Sequence, residues 1–228
     1  MTRLETIQKK LKRLAKLDSR YEIFGADDHK YKFEPKLTEK EAEAFESKYE
    51  LQLPEEYRQY LLHVGNGGAG PFYGLMALED SDDNVIVPAE PFPFEEPLYF
   101  SDVYEEVDAI TANMPEDEAE ETGERIFDEY FEMASSGISY LSHEGCGMYS
   151  VLVVKGAEAG NVWFLDLMNE TGAFPILDPE TDEPFSFFDW FEYWLDNAIA
   201  HFEDGSEELS SYADLIDGGV FGIDEDDD

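Results

Sequence analysis

Residues 37–78 read LTEKEAEAFESKYELQLPEEYRQYLLHVGNGGAGPFYGLMAL and predict two short helices followed by a glycine-rich connection. Thr38 has a glutamate three positions later, which is the capping-box pattern of a helix start. The second helix follows Leu53 and Pro54, because a proline fits a first helical turn, where its missing N–H would have no partner. Gly65 is placed to end that helix. The order of these elements decides how the glycines are interpreted.

The glycines Gly65, Gly67 and Gly70 have the spacing of a dinucleotide-binding loop. Such a loop needs a strand before it and a helix after it, so that the helix N-terminus faces the pyrophosphate. Here a helix comes first, and residues 72–78 predict a strand. We therefore interpret the glycines as a bend in the chain and expect no nucleotide or other cofactor.

Charge is distributed unevenly along the chain. The chain has 228 residues, of which 43% are apolar, and this content is sufficient for a buried core. The formal net charge is −40; residues 1–48 carry 12 Lys and Arg against 10 Asp and Glu, whereas residues 49–228 carry 3 against 45. An anionic surface repels nucleic-acid and lipid phosphates and attracts basic partners. We therefore expect neither nucleic-acid nor membrane binding, although solubility or adaptation to a salty cytoplasm also explains the charge.

The N-terminal segment predicts an amphipathic helix with a basic face. Its apolar residues recur at spacings of three and four, and they are Leu4, Ile7, Leu11, Leu14 and Leu17. The other face holds Lys9, Lys10, Lys12, Arg13 and Lys16. A membrane-surface helix has this pattern. Docking on the protein's own acidic body explains it without a membrane, and we favour docking.

The remaining chain predicts a pair of helices, an antiparallel meander and a closing helix. Helices are predicted at 101–114, 116–134 and 186–202, the meander strands at 137–142, 147–154 and 161–168, and a short edge strand at 174–177. Ser186 is the expected N-cap of the last helix. The aromatic residues of that helix form a broad face typical of a core.

Metal-binding motifs are weak. The four histidines are His29, His63, His143 and His201. They are scattered, and no H-E-x-x-H motif occurs. Residues 178–189 place carboxylates at EF-hand spacing, but the sixth position is Glu183, where the loop needs a glycine. We expect no metal site.

Cys146 is the one cysteine, which excludes an internal disulfide framework and indicates a reducing compartment. It lies near His143 and Glu144, and a thiol nucleophile with a histidine base is one interpretation of this trio. No third orienting group is evident, so we do not favour thiol catalysis. The first twenty residues lack the apolar centre of a signal peptide, and no apolar run reaches about 18 residues. We expect a cytoplasmic protein.

A set of motifs between residues 37 and 200 resembles the SUKH superfamily, the proteins of the cell-wall-assembly and killer-toxin-resistance type. The motifs are a Leu-Pro step before a helix, an Asn-Gly-Gly turn, a glycine-turned hairpin, a G-x-V-W strand and a closing aromatic helix. The residues that carry them are Leu53, Pro54, Tyr57, Asn66, Gly67, Gly68, Gly74, Gly145, Gly147, Gly160, Trp163, Trp190 and Trp194.

The resemblance implies an α+β fold with a mostly antiparallel central sheet flanked by helices. It divides the chain into an N-terminal helix and linker at 1–36, a SUKH-like domain at 37–202 and an acidic C-terminal tail at 203–228, whose last residues are expected to be disordered. The segment 80–136 is longer and more acidic than the family pattern, and we interpret it as an insertion.

Many bacterial members of this superfamily are immunity proteins that bind and neutralise toxin domains, often nucleases, whereas fungal members act as regulatory scaffolds. The resemblance therefore implies a non-enzymatic immunity protein with a basic toxin domain as its partner. A regulatory scaffold with a housekeeping client is the alternative. Carboxylates are the expected contacts for a basic partner. The candidate partner-binding residues are Glu79, Asp80, Asp82, Asp83, Glu116, Asp117, Glu118, Glu120 and Glu121.

Overall fold

The computed structural model describes residues 2–78, 90–209 and 211–216. The helices of this part are α1 (Arg3–Leu17), α2 (Ala26–His29), α3 (Glu39–Lys48), α4 (Glu55–His63), α5 (Phe100–Thr111), α6 (Glu116–Ala134) and α7 (Phe187–Asp204). The strands are β1 (Leu98–Tyr99), β2 (Ile138–Gly145), β3 (Met148–Val153), β4 (Val162–Asp166) and β5 (Gly172–Pro175). A 3₁₀ turn at Tyr212–Leu215 follows α7. The three helices predicted at 101–114, 116–134 and 186–202 are confirmed as α5, α6 and α7.

The strands form one antiparallel sheet in the order β1-β5-β4-β3-β2. The predicted α+β class with an antiparallel central sheet is confirmed, and so is the β2–β3–β4 meander. The short strand predicted at 174–177 exists as β5, but it is not an edge strand. β1 pairs on its outer side, with Leu98 opposite Ala173, because the chain before α5 returns to the sheet.

Both faces of the sheet are covered, because side chains alternate between two apolar clusters along each strand. On β4, Phe164 joins the cluster that contains α1, α4 and α7. Its neighbours Trp163 and Leu165 join the second cluster, which contains residues of α5 and α6. The sheet is therefore the middle of three layers, and α5 and α6 form the cover of the second face.

Helix α7 is the centre of the larger cluster. Ser186 caps it as predicted, with its hydroxyl accepting a hydrogen bond from the Asp189 N–H. The buried aromatic residues of α7 include Phe187, Trp190, Phe191 and Trp194. A buried aromatic side chain contributes about 1.5–3 kcal/mol relative to an exposed one, so this face is a major source of stability.

Helix α1 lies against α7, which confirms that it docks on the protein's own body. Thr2 and Glu5 form the predicted capping box, and Ile7, Leu11 and Leu14 are buried. Cations of α1 pair with acids that lie mostly on α7: Arg3 with Glu56, Asp189 and Glu192, Lys10 with Glu192 and Asp196, and Arg13 with Glu203. These pairs are partly exposed and contribute about 0–1 kcal/mol each, so they mainly set the position of α1 over its buried leucines.

The strand predicted at 72–78 is wrong. Phe72 and Gly74 have φ values of +52° and +96°, and the Gly74 N–H donates to the Pro71 carbonyl at 2.9 Å, which closes a turn. Within residues 72–78, Leu75 alone forms β-bridges, and they are isolated pairings with Gly68 and with Ser142 of β2. Phe72, Leu75 and Leu78 are buried, but a turn and not a continuous strand ladder places them there.

Gly68 is required because two backbone segments approach closely. Its φ is +92°, and a Cβ atom there would lie 2.4 Å from the Lys32 carbonyl oxygen. The N–H of the next residue, Ala69, donates to that same carbonyl at 2.7 Å. The contact holds the segment before α3 against the glycine-rich connection.

We expect Gly68→Ala to destabilise the protein by about 3 kcal/mol or more, because the new methyl group collides with fixed backbone. Gly160→Ala is the matched control: its φ is +105°, but the space around it is open. That change should cost only the left-handed strain, about 1–2 kcal/mol. Urea unfolding of both variants measures the difference, and equal losses would contradict the close approach.

Candidate functional site

A groove of about 630 Å³ lies beside the glycine-rich connection, between the segment from α2 to α3 and the segment after α4. We call it the NGG groove. The lining residues that matter here are Asp28, His29, Glu34, Lys36, Glu41, Asn66, Gly68 and Tyr73. Two of the motif residues, Asn66 and Gly68, therefore line a concave surface.

Backbone hydrogen bonds hold the two walls of the groove together. The Asn66 N–H donates to the Pro35 carbonyl at 3.1 Å, and the Glu34 N–H donates to the Gly67 carbonyl at 3.1 Å. The Asn66 side-chain oxygen accepts from the Leu78 N–H at 2.9 Å. Asn66 therefore joins the segment before α3 to the segment after the glycines, which is a structural reason for an asparagine at this position.

The groove is mainly acidic. Asp28, Glu34 and Glu41 are exposed along it, and Lys36 is also exposed. Glu41 also closes the predicted capping box of α3 by accepting from the Thr38 N–H. At neutral pH three carboxylates face one ammonium group, so a cationic group is favoured over an anion.

His29 adds no positive charge to the groove at neutral pH. Its Nδ1 accepts a hydrogen bond from the Tyr31 N–H at 3.0 Å, which requires that nitrogen to be unprotonated. Burial lowers the pKa of His29 from 6.5 to about 4, and the charges of Asp28, Asp18 and Asp27 oppose this shift. The imidazole is neutral because the folded chain removes it from water.

A buried carboxylate fixes the segment that carries His29. Asp18, at the end of α1, accepts from the N–H groups of Glu22 and Ile23 at 2.7 and 3.1 Å and from the Tyr31 hydroxyl at 2.6 Å. Burial and the bond to Asp18 raise the pKa of Tyr31. Sequence reasoning missed this network, because residues 18 and 31 show no periodic pattern that connects them.

A row of aromatic rings continues from the edge of the groove across the protein surface. Phe24 contacts Tyr73 with ring centroids 5.2 Å apart, Tyr73 contacts His143 at 5.5 Å, and His143 contacts Tyr149 at 4.8 Å. Phe24 and Tyr73 are 39% and 42% exposed. We call these four residues the aromatic row. Exposed tyrosine and phenylalanine that lie together are typical of protein-binding surfaces.

The carboxylates predicted to bind a partner belong to two regions. Glu79, Asp80, Asp82 and Asp83 lie outside the described residues. The others, Glu116, Asp117, Glu118, Glu120 and Glu121, are all exposed in the first two turns of α6. The structure thus places the second set on the helical layer that covers the sheet.

Helices α5 and α6 together present an acidic surface, which we call the acidic face. Residues 100–134 contain thirteen Asp and Glu against one cation, Arg125, and Arg125 pairs with Glu129 of its own helix. The apolar sides of both helices are buried on the sheet through residues such as Phe100 and Ile126. The charge is therefore held on a packed layer and faces away from the core.

The trio His143, Glu144 and Cys146 does not converge. The Glu144 carboxylate is buried and accepts from the Ser150 hydroxyl at 2.6 Å and the Tyr212 N–H at 2.9 Å. The His143 ring packs within the aromatic row, and Cys146 is exposed in the β2–β3 turn. Glu144 is thus a structural anchor for the chain after α7.

Across residues 2–78, 90–209 and 211–216, no group of three or more His, Cys, Asp or Glu side chains could hold a metal ion. In the segment with EF-hand spacing, the Asp178 side chain accepts a hydrogen bond from the Glu180 N–H. The Asp189 carboxylate accepts hydrogen bonds from the Ser186 hydroxyl and the Arg3 guanidinium. Among the helices of the described residues, none combines the length with the hydropathy that a bilayer-spanning helix needs.

The other motif residues have structural positions. Leu53, Tyr57, Trp163, Trp190 and Trp194 are buried. Pro54 is the N-cap of α4. Gly67, Gly74, Gly145, Gly147 and Gly160 all have positive φ. These residues shape the core and the turns.

Comparison with known proteins identifies one family. The model of the SMI1 / KNR4 family (SUKH-1) matches residues 36–197. The match spans the sheet, the acidic face, most of α7 and the part of the NGG groove from Lys36 onward, whereas Asp28, His29 and Glu34 lie before it. Searches of curated proteins and of solved structures found no match.

We expect the stability of the protein to fall as the pH falls from about 6.5 to about 4, partly through His29. Its folded pKa lies below its unfolded value, so unfolding takes up a proton in this window and the neutral imidazole stabilises the fold above it. The contribution is at most about 3 kcal/mol. His29→Asn, whose side-chain oxygen can accept from the Tyr31 N–H, should remove this component. The exposed His63→Asn should not, and urea unfolding at pH 7 and pH 4.5 compares them.

Glu144→Ala should cost about 2–4 kcal/mol, because it leaves buried hydroxyl and N–H donors without their acceptor. Cys146→Ala, two residues away on the surface, should change the free energy of unfolding by less than about 0.5 kcal/mol. Thermal unfolding of the two variants measures this. A large loss from Cys146→Ala would show that the thiol has a structural role that its exposure does not indicate.

Proposed function

The chain belongs to the SMI1/KNR4 (SUKH-1) family, and we propose that it is an immunity protein that binds a basic toxin domain and neutralises it without catalysis. The partner is a nuclease-type domain, whose active site carries cations that hold nucleic-acid phosphates. Family membership supports a protein-binding role of the immunity or regulatory kind. The choice of a basic partner comes from the charge of this particular chain.

The acidic face is the observation that carries this proposal. Its carboxylates lie on the exposed side of α5 and α6, and Arg125 is its one cation. Such a surface mimics the charge of a nucleic-acid backbone and attracts a basic protein at long range. Charge complementarity of this kind mainly raises the association rate and the specificity of a complex.

The pairing of cations elsewhere supports the same assignment. Arg3, Lys10 and Arg13 are engaged with acids on or beside α7. Arg58 pairs with Glu39 and Glu46. These cations neutralise acids on the side of the sheet that holds α1 and α7. The acidic face, on the other side, keeps nearly all of its negative charge for a partner.

Co-expression in cells tests the biological role. We expect this protein to rescue cells from a toxin encoded beside its gene, through a complex that can be isolated. Deletion of the gene should be harmless once the toxin gene is also deleted. A growth defect that persists without the toxin would instead favour the regulatory scaffold with a housekeeping client.

Neutralising the acids at the start of α6 should slow the association with the basic partner. The variant changes Glu116, Glu118, Glu120 and Glu121 to Gln and Asp117 to Asn. We expect an association rate constant about 10-fold lower at low salt, with a smaller difference at high salt because ions screen the attraction. Stopped-flow mixing with the co-purified toxin domain measures it.

The control for this experiment removes the same number of charges elsewhere. It changes Glu43, Glu50, Glu180, Glu183 and Glu207 to Gln, all of which are exposed and lie outside α5 and α6. Its association rate should stay within about 2-fold of the wild type. If both variants slow association equally, net charge and not the acidic face directs the partner.

A further inference from the structure

Tyr73 occupies the junction between the NGG groove and the aromatic row. Its ring lines the groove, is 42% exposed, and contacts both Phe24 and His143. The edge-to-face contact with Phe24, at an interplanar angle of 67°, fixes its orientation. The aromatic ring is thus held in place at a groove whose other walls carry carboxylates.

We propose that the NGG groove receives an arginine side chain from a basic partner protein. The guanidinium group stacks on the Tyr73 ring and is paired by carboxylates of the groove walls, Asp28 and Glu34. This inference rests on the proposed function, because it names the chemical group of the basic partner that this surface recognises. It adds a second contact surface, separate from the acidic face.

Charge and ring chemistry both favour a cation in this groove. A cation over an aromatic face within about 6 Å of the ring centre is attracted by the ring quadrupole. The carboxylates of Asp28, Glu34 and Glu41 outnumber the ammonium group of Lys36. The buried His29 is neutral at pH 7 because its Nδ1 accepts from Tyr31. A cation entering the groove therefore meets little repulsion.

Arginine fits better than lysine for two reasons. Its planar guanidinium stacks on an aromatic ring and forms paired hydrogen bonds with carboxylates, whereas the lysine ammonium is a compact, strongly hydrated charge. The groove of about 630 Å³ is also within the about 300–1,000 Å³ range of pockets that enclose small ligands. It has room for one side chain with its adjoining backbone.

The groove is formed before any partner arrives. The backbone bonds of Asn66 and Glu34 fix its walls, and Asp18 fixes the segment that carries His29 and Tyr31. A rigid site loses little conformational entropy on binding. An anchor of this kind suits the hot spot of an interface, where arginine and tyrosine are enriched.

The test uses the full-length protein and two labelled heptapeptides, GRGRGRG and GKGKGKG, as probes. Both have the same charge, so the general attraction of a polyanion is common to them and cancels in the ratio of their dissociation constants. We expect the wild type to bind the arginine peptide about 3-fold to 10-fold more tightly. Fluorescence anisotropy at 150 mM salt measures both constants.

Single-residue variants then show whether Tyr73 causes the preference for the arginine peptide. Tyr73→Leu should bind the two peptides equally, whereas Tyr73→Phe, which keeps the ring, should retain the arginine preference. Tyr104→Leu is the matched control, because Tyr104 has the same 42% exposure but lies on α5. It should behave as the wild type, and circular dichroism checks that each variant is folded.

Two outcomes overturn the inference: equal binding of both peptides by the wild type, or an arginine preference that Tyr73→Leu retains. Loss of the preference in Tyr104→Leu alone would place the arginine contact on the acidic face. The proposed function fails on a separate result, namely that co-expression rescues cells from no toxin encoded beside the gene. An arginine preference that depends on Tyr73 would then still establish the groove as a binding site.

Discussion

Helix α7 has an aromatic face, which fills the centre of the larger apolar cluster, and an acidic edge, which pairs with the cations of α1. Trp190 and its aromatic neighbours fill the space between α4, the sheet and Tyr212. Along the acidic edge, Asp189, Glu192, Asp196 and Glu203 recur at helical spacing and pair with cations of α1. Helices α1 and α7 are thereby joined, and apolar burial supplies most of the stability while charge sets the alignment.

A second constraint shapes the candidate site. Gly68 lies so close to the Lys32 carbonyl that no side chain fits between them, and Asn66 ties the same connection to Pro35 and Leu78. The family motif is therefore a scaffold whose small residues let two backbones meet. The groove lies beside that meeting, and Tyr73 and the surrounding carboxylates are exposed along it.

Much of the fold could be predicted from local patterns. The capping boxes at Thr2 and Thr38 and the cap at Ser186 are formed by residues three apart, so the sequence shows them directly. The predicted strand at 72–78 was wrong because a short apolar run indicates burial but not the backbone conformation, and a turn at Gly74 buries part of the same run. The order β1-β5 was missed because a two-residue strand leaves no periodic signal.

The α+β class, the family, the basic face of α1 and the acidity of α6 can all be read from the sequence, because each depends on residue types at short spacings. Packing of the layers determines three further features. Three cations of α1 pair with acids on or beside α7, Glu144 accepts from the Tyr212 N–H, and Tyr73 contacts Phe24 and His143 beside an acidic groove. These contacts join residues up to about 190 positions apart. Pairings of that range are fixed only when the layers pack, since many other partners satisfy the same local pattern.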